Sequence, residues 1–243
     1  MKPLILITVW VCCTVWHSSA QPSLAVNPAN GTNAAELERV LMLLNRLGEK
    51  DSPIERPGWK EPELLAQLQR IASTATNSPA SWTAQLWLTV IESDSIQGET
   101  QRAEIRRKVD ALNVRLDRII AIAGDSWQAK AARISKCGSL FYARRWTDCR
   151  AEIAYLLKNQ AAFRSETDPG FGQYVNVQGK ALQDFEPEIR FFLVMIEAME
   201  GNYQKAIEVA EGIKSNYPQW SSRTRLDGTI ELLKAEKCPF RIP

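Results

Sequence analysis

Residues 101–124 read QRAEIRRKVDALNVRLDRIIAIAG, and this stretch decides the fold class. Ile105, Val109, Leu112, Leu116, Ile119, Ile120 and Ala123 recur three and four residues apart, which gathers them on one face of a helix. Gly124 ends that helix. The run Arg106-Arg107-Lys108 lies among Arg102, Glu104, Asp110, Arg115 and Asp117. Charge so mixed reads as a solvated helix face, not as a patch for an anionic partner. Downstream, Ser126 caps a helix from Trp127 to about Phe141, and another follows over about 145–163.

The same period extends in both directions. Towards the N-terminus, Asn33 with Glu36 forms a capping box, and Leu37, Val40, Leu41, Leu44 and Leu47 make an apolar face that stops at Gly48. Pro62 suits a first helical position, with Leu64, Leu65, Leu68 and Ile71 behind it. Ser78-Pro79 starts another helix, with Trp82, Leu86, Val90 and Ile91 inward, and residues 93–100 read as a polar loop. Towards the C-terminus, Asp168-Pro169-Gly170-Phe171-Gly172 is a strong turn signal. Helices are expected at 173–183, 187–199, 203–215 and 220–236. No stretch alternates with period two for long. The sequence therefore predicts an all-α fold of about nine or ten helices, arranged as antiparallel hairpins.

The segment from Glu186 to Glu236 resembles the tetratricopeptide (TPR) family of helical repeats. If Pro218 closes such a repeat, Gly201-Asn202-Tyr203 falls on the turn and its following aromatic residue. Ala206 falls on the small residue of the second helix, Ala210 and Ile213 on its later packing positions, and Leu193 on a first-helix core position. Arg190, Val194 and Glu197 depart from the pattern, standing where the family has Trp, a small residue and an aromatic one. A weaker copy lies over 130–160, with Trp146 matching Tyr203, Cys149 matching Ala206, and Cys137 on the small position of the first helix. The two copies are 57 residues apart, so a further helix near 173–183 has to intervene. The resemblance implies a stack of hairpins with the shape of a TPR-like solenoid, whose concave face receives another protein. It also brings Cys137 and Cys149 face to face as a candidate disulfide. Two buried thiols fit the same positions.

Residues 1–20 read as a secretion signal. Lys2 supplies the positive end, Leu4 to Trp16 the apolar core, and Ser18-Ser19-Ala20 the small residues before cleavage at Gln21. A second cleavage site follows Ala25. The alternatives are an uncleaved anchor and lipid attachment at Cys12 or Cys13, although Val9-Trp10-Val11 is bulky for the latter. Residues 21–33 form a flexible lead-in, which contains the glycosylation pattern Asn30-Gly31-Thr32, and 34–243 form one helical domain with a subdivision point near 124/125. The expected location is periplasmic or extracellular, with no stable membrane insertion after cleavage.

Charge and composition narrow the function. The chain has 30 basic and 28 acidic residues and one histidine, His17, which lies in the signal. A balance this near neutral gives no basis for nucleic-acid binding. Without histidine, the mature chain has neither a histidine general base nor histidine-ligated zinc. No cofactor is expected: Gly179-Lys180 lacks the residues of a phosphate loop, and there is no Cys-x-x-Cys. Glu197 with Glu200, three apart, are candidate paired carboxylates, though polar residues are ordinary at a helix end. Ile91-Glu92-Ser93 faintly resembles the Glu-Ser of lytic transglycosylases, without that family's downstream Gly-Leu-Met-Gln-type segment. No catalytic residue is assigned. A non-catalytic protein-interaction or scaffold module is the favoured reading. The alternatives are a carboxylate-dependent enzyme acting on envelope glycans and a structural component of an envelope or secreted assembly. Phe171, Tyr174 and Trp220 are the candidate partner contacts, and Cys238 is left over near the C-terminus.

Overall fold

The computed structural model describes residues 35–40, 42, 62–74, 77–97, 99–159, 185–220 and 222–240. Residues 35–40 are helical, and eight helices follow: α1 (Pro62–Thr74), α2 (Pro79–Gln97), α3 (Arg102–Ala123), α4 (Trp127–Tyr142), α5 (Trp146–Lys158), α6 (Phe185–Met199), α7 (Tyr203–Asn216) and α8 (Arg223–Lys234). No strand occurs among the described residues. Helices adjacent in sequence pack as antiparallel pairs, and α2 also packs against α4.

Local chemistry explains the boundaries. The Ser78 hydroxyl accepts from the Ser81 amide at 3.2 Å, and Ser126 accepts from the Ala129 amide at 3.4 Å, so both expected caps are made. Gly124, at φ +56°, ends α3 where the sequence expected it. The α3 stripe is buried as read, except that Ile120 is only partly covered. Glu36 forms an ion pair with Arg70 of α1, tying the first helical segment to the next.

Helix α2 corrects the expected loop over 93–100, because it continues to Gln97. Ile96 is buried and holds the last turn in the core. Ser81, Thr83, Ala84, Leu86, Trp87, Thr89 and Val90 are buried on several sides of α2. It packs against α1, α3 and α4, and its buried hydroxyls find partners. Thr83 Oγ1 donates to the Pro79 carbonyl at 2.7 Å and accepts from Gln128 of α4 at 3.1 Å.

The α4–α5 and α6–α7 pairs repeat one another at an offset of 57 residues. In the first, the Arg144 amide donates to the Phe141 carbonyl at 3.0 Å and the Arg145 amide to the Leu140 carbonyl at 2.9 Å. In the second, Gly201 donates to Ala198 at 3.1 Å and Asn202 to Glu197 at 2.8 Å. Both are Schellman endings, which need a left-handed residue after the helix. Arg144 at φ +56° and Gly201 at φ +81° supply it. Side chains follow the same register: Cys149 and Ala206, Ile153 and Ala210, and Leu156 and Ile213 are all buried.

Candidate functional site

The junction of α4, α5 and α6 gathers most of the residues with chemical potential. Phe141 of α4 is fully buried, with Trp146 at 5.4 Å and Phe192 of α6 at 5.4 Å between ring centroids. Beside this aromatic node, Arg150 of α5 reaches two carboxylates of α6. It bonds Glu197 at 2.9 Å and Glu200 at 2.5 Å. Lys205 approaches Glu197 at 2.9 Å, and Asn202 donates to it at 3.0 Å.

Glu197 is only 2% exposed, which corrects the expectation of a solvated helix end. Burial alone would raise its pKa, but the hydrogen bonds from Lys205, Arg150 and Asn202 outweigh that and lower it. A carboxylate held ionised by this many donors is poorly suited to give or take a proton near neutrality. Glu197 and Glu200 therefore join two hairpins through one guanidinium. Glu92 pairs with Arg115 across α2 and α3, at a half-exposed surface position. Among the described residues, no cluster of three or more His, Cys, Asp or Glu is placed to hold a metal ion.

Cys137 and Cys149 meet at the α4–α5 contact, but as free thiols. Cys149 Sγ donates to the Cys137 carbonyl at 3.4 Å, so it is turned to backbone oxygen and not to sulfur. Burial pushes the Cys149 thiol up to about 12 and Cys137 well above the ordinary thiol range. Native residues 21–243 should thus react with a thiol reagent through half-buried Cys238 first, with the other two thiols appearing only on unfolding. A native count of three by absorbance would contradict the packing, and a denatured count of one would establish the disulfide instead.

Trp220 is 4% exposed, packs on Phe191 with centroids 5.7 Å apart, and donates its indole N–H to Glu188 at 3.2 Å. It packs as a core anchor, with little of its surface left open to a partner. Phe240 also packs on Phe191, edge-on, with centroids 5.7 Å apart. Trp82, Trp127 and Trp146 are partly buried against the core, as anchors of successive helices. Trp87, which the sequence reading passed over, is the largest fully buried side chain among the described residues. Phe171, Tyr174, Gly179-Lys180 and the helix expected at 173–183 lie outside the described residues, as do the signal, the lead-in and Gly48.

The large hydrophobics exposed among the described residues are Met42, Val114, Tyr155 and Leu232, spread over four helical segments. Scattered apolar residues of this kind are normal on a folded surface. Arg133 stacks over the Tyr155 ring at 3.9 Å and also pairs with Glu152 at 3.0 Å. No described helix is long and apolar enough to cross a membrane. No protein-family profile matches the chain, and neither a curated protein nor a solved structure matches it.

Proposed function

We propose that the chain is an exported helical-repeat protein of TPR-like build, which serves as a protein-interaction or scaffold module without catalysis. The observation that carries this reading is the bond-for-bond repetition of the α4–α5 turn in the α6–α7 turn. Helix α8 ends in a third Schellman turn, with the Lys237 amide donating to the Leu232 carbonyl at 2.9 Å and Glu236 at φ +53°. From Gly201 to Glu236 is 35 residues, close to the roughly 34 of a TPR unit. Arg190, where the family has Trp, bridges Glu186 at 2.8 Å and the Tyr217 hydroxyl at 3.3 Å. A polar link between the start of α6 and the end of α7 replaces an aromatic one. Stacked hairpins offer an extended face for recognition by shape and mixed charge.

The test is capture of a partner by tagged residues 21–243, crosslinked in extract of the source cells. One reproducible protein, lost on Phe171→Ala with Tyr174→Ala, is the expected result. The native protein recovered for comparison should begin at Gln21. Retention of glycan with no protein would overturn the scaffold reading in favour of an envelope enzyme.

A further inference from the structure

The three Schellman turns put three helices in one register. Leu140 of α4, Glu197 of α6 and Leu232 of α8 accept the bonds that close their turns, from the Arg145, Asn202 and Lys237 amides. Cys137, Val194 and Thr229 stand three residues before them. In the first two copies a second helix follows and covers this side. Cys149 of α5 reaches the Cys137 carbonyl at 3.4 Å, and Lys205 of α7 reaches Glu197 at 2.9 Å. Leu140 and Glu197 are each only 2% exposed.

The third copy differs. Residues 237–240, where a second helix would begin, are not helical, and Phe240 turns to Phe191 of α6. Helix α7 lies along another flank of α8, through Lys214 with Asp227 and Glu211 with Lys234. At about 100° per residue, Leu232 stands roughly 140° around the helix from Asp227. It is left 39% exposed, and a side chain added at Gly228, one turn earlier, would meet open space. An exposed leucine means little by itself. At a position that both earlier copies bury, it marks a half-hairpin whose second helix is missing among the described residues.

We propose that this side of α8 docks one amphipathic helix of a partner protein, which completes the third hairpin as α5 and α7 complete the first two. The chemistry of the occupant follows from those two helices. Each opens on an aromatic residue, Trp146 or Tyr203, with a small buried residue three positions on, Cys149 or Ala206. Buried residues follow seven and ten positions after the aromatic one: Ile153 and Leu156 in α5, Ala210 and Ile213 in α7. Thr229 and Leu232 match Cys137 and Leu140 of α4 more closely than Val194 and Glu197 of α6, so a helix built like α5 fits best. This proposal deepens the scaffold reading and rests on it.

The probe is a labelled peptide of residues 144–159 carrying Cys149→Ala, titrated with the full chain and followed by fluorescence anisotropy and circular dichroism. A free peptide of this length is marginally helical in water, so helicity gained on mixing reports docking as a helix. Saturable binding is the expected result. Leu232→Glu in the chain and Ile153→Glu in the peptide should each weaken it at least about tenfold, because each puts a charge into the apolar contact. Since Leu232 is exposed in the free chain, Leu232→Glu should keep its thermal midpoint within about 2 °C, which separates lost docking from lost folding. No saturable binding up to about 1 mM, or unchanged binding in both variants, overturns the site. Self-association of the chain that Leu232→Glu abolishes would also overturn it, by seating a second copy there instead. A partner captured from extract equally well by wild type and Leu232→Glu would sink this face and leave the scaffold reading standing.

Discussion

Phe141→Ala should lower the stability of the folded chain by about 3–5 kcal/mol, the cost typical of emptying a fully buried phenylalanine site. Phe141 sits at the end of α4 with no exposed surface, and its ring is held by Trp146 and Phe192. The Phe192 contact is edge-on, at an interplanar angle of 69°, and it joins the first repeated hairpin to the second. Its counterpart 57 residues on is Ala198, also buried, so the second hairpin makes no matching aromatic bridge at that position. Truncation leaves a cavity where two hairpins meet, and neither can close it without shifting a helix. In a domain of this size the loss corresponds to a drop in thermal midpoint of roughly 6–20 °C. Phe192→Ala should cost less, since Phe192 is not fully buried, and a double-mutant cycle should show coupling of about 0.5–1.5 kcal/mol. A Phe141→Ala midpoint within about 2 °C of wild type would show that the aromatic node does not hold the hairpins together.

The features legible in the sequence are those set within one turn of helix. The α3 stripe, the Ser78 and Ser126 caps, the Gly124 stop and the Tyr203 start all depend on neighbours three or four residues away. The 57-residue register was legible too, because Trp146, Cys149 and Cys137 fall at the spacing of Tyr203, Ala206 and Val194. What escaped depends on distant partners. Glu197 read as a solvated helix end because Arg150, which buries and neutralises it, lies 47 residues earlier. Trp220 read as either a helix anchor or a partner contact because Glu188, the acceptor of its indole N–H, lies 32 residues away. In α2 the polar run after Ile91 obscured the one residue that matters there, Ile96. The Arg106-Arg107-Lys108 run read as one solvated face. Folding splits it, sending Arg107 and Lys108 to Glu104 and Glu99 and leaving Arg106 beside Arg144.

Glu197→Gln should cost about 2–4 kcal/mol at neutral pH, and this cost should shrink as the solution is acidified. Three donors converge on the Glu197 carboxylate, and the hydrogen bonds of Lys205, Arg150 and Asn202, in that order, lower its pKa against the effect of burial. Lys205 is well exposed, so water screens part of its contribution to stability. Glutamine keeps the shape but turns an NH₂ donor towards these donors, so part of the network is left unsatisfied. Arg150 keeps Glu200, which limits the loss. The sign of the pH effect follows from the lowered pKa of Glu197 in the folded protein. A carboxylate with a folded pKa below its unfolded value, about 4.3, stabilises the fold fully above that value. The stabilisation disappears as pH falls through the folded pKa. Glu99, Glu104 and Asp227 are also lowered, by their hydrogen bonds to backbone amides, Arg107 and Lys214, and they affect both proteins alike. Subtracting the urea midpoints of variant and wild type at each pH therefore isolates Glu197. The difference should be constant from about pH 7 to pH 5 and narrow below about pH 4.3. A difference that stays level down to pH 3 would mean that the carboxylate's charge does not hold α5 to α6, and that packing around Arg150 does.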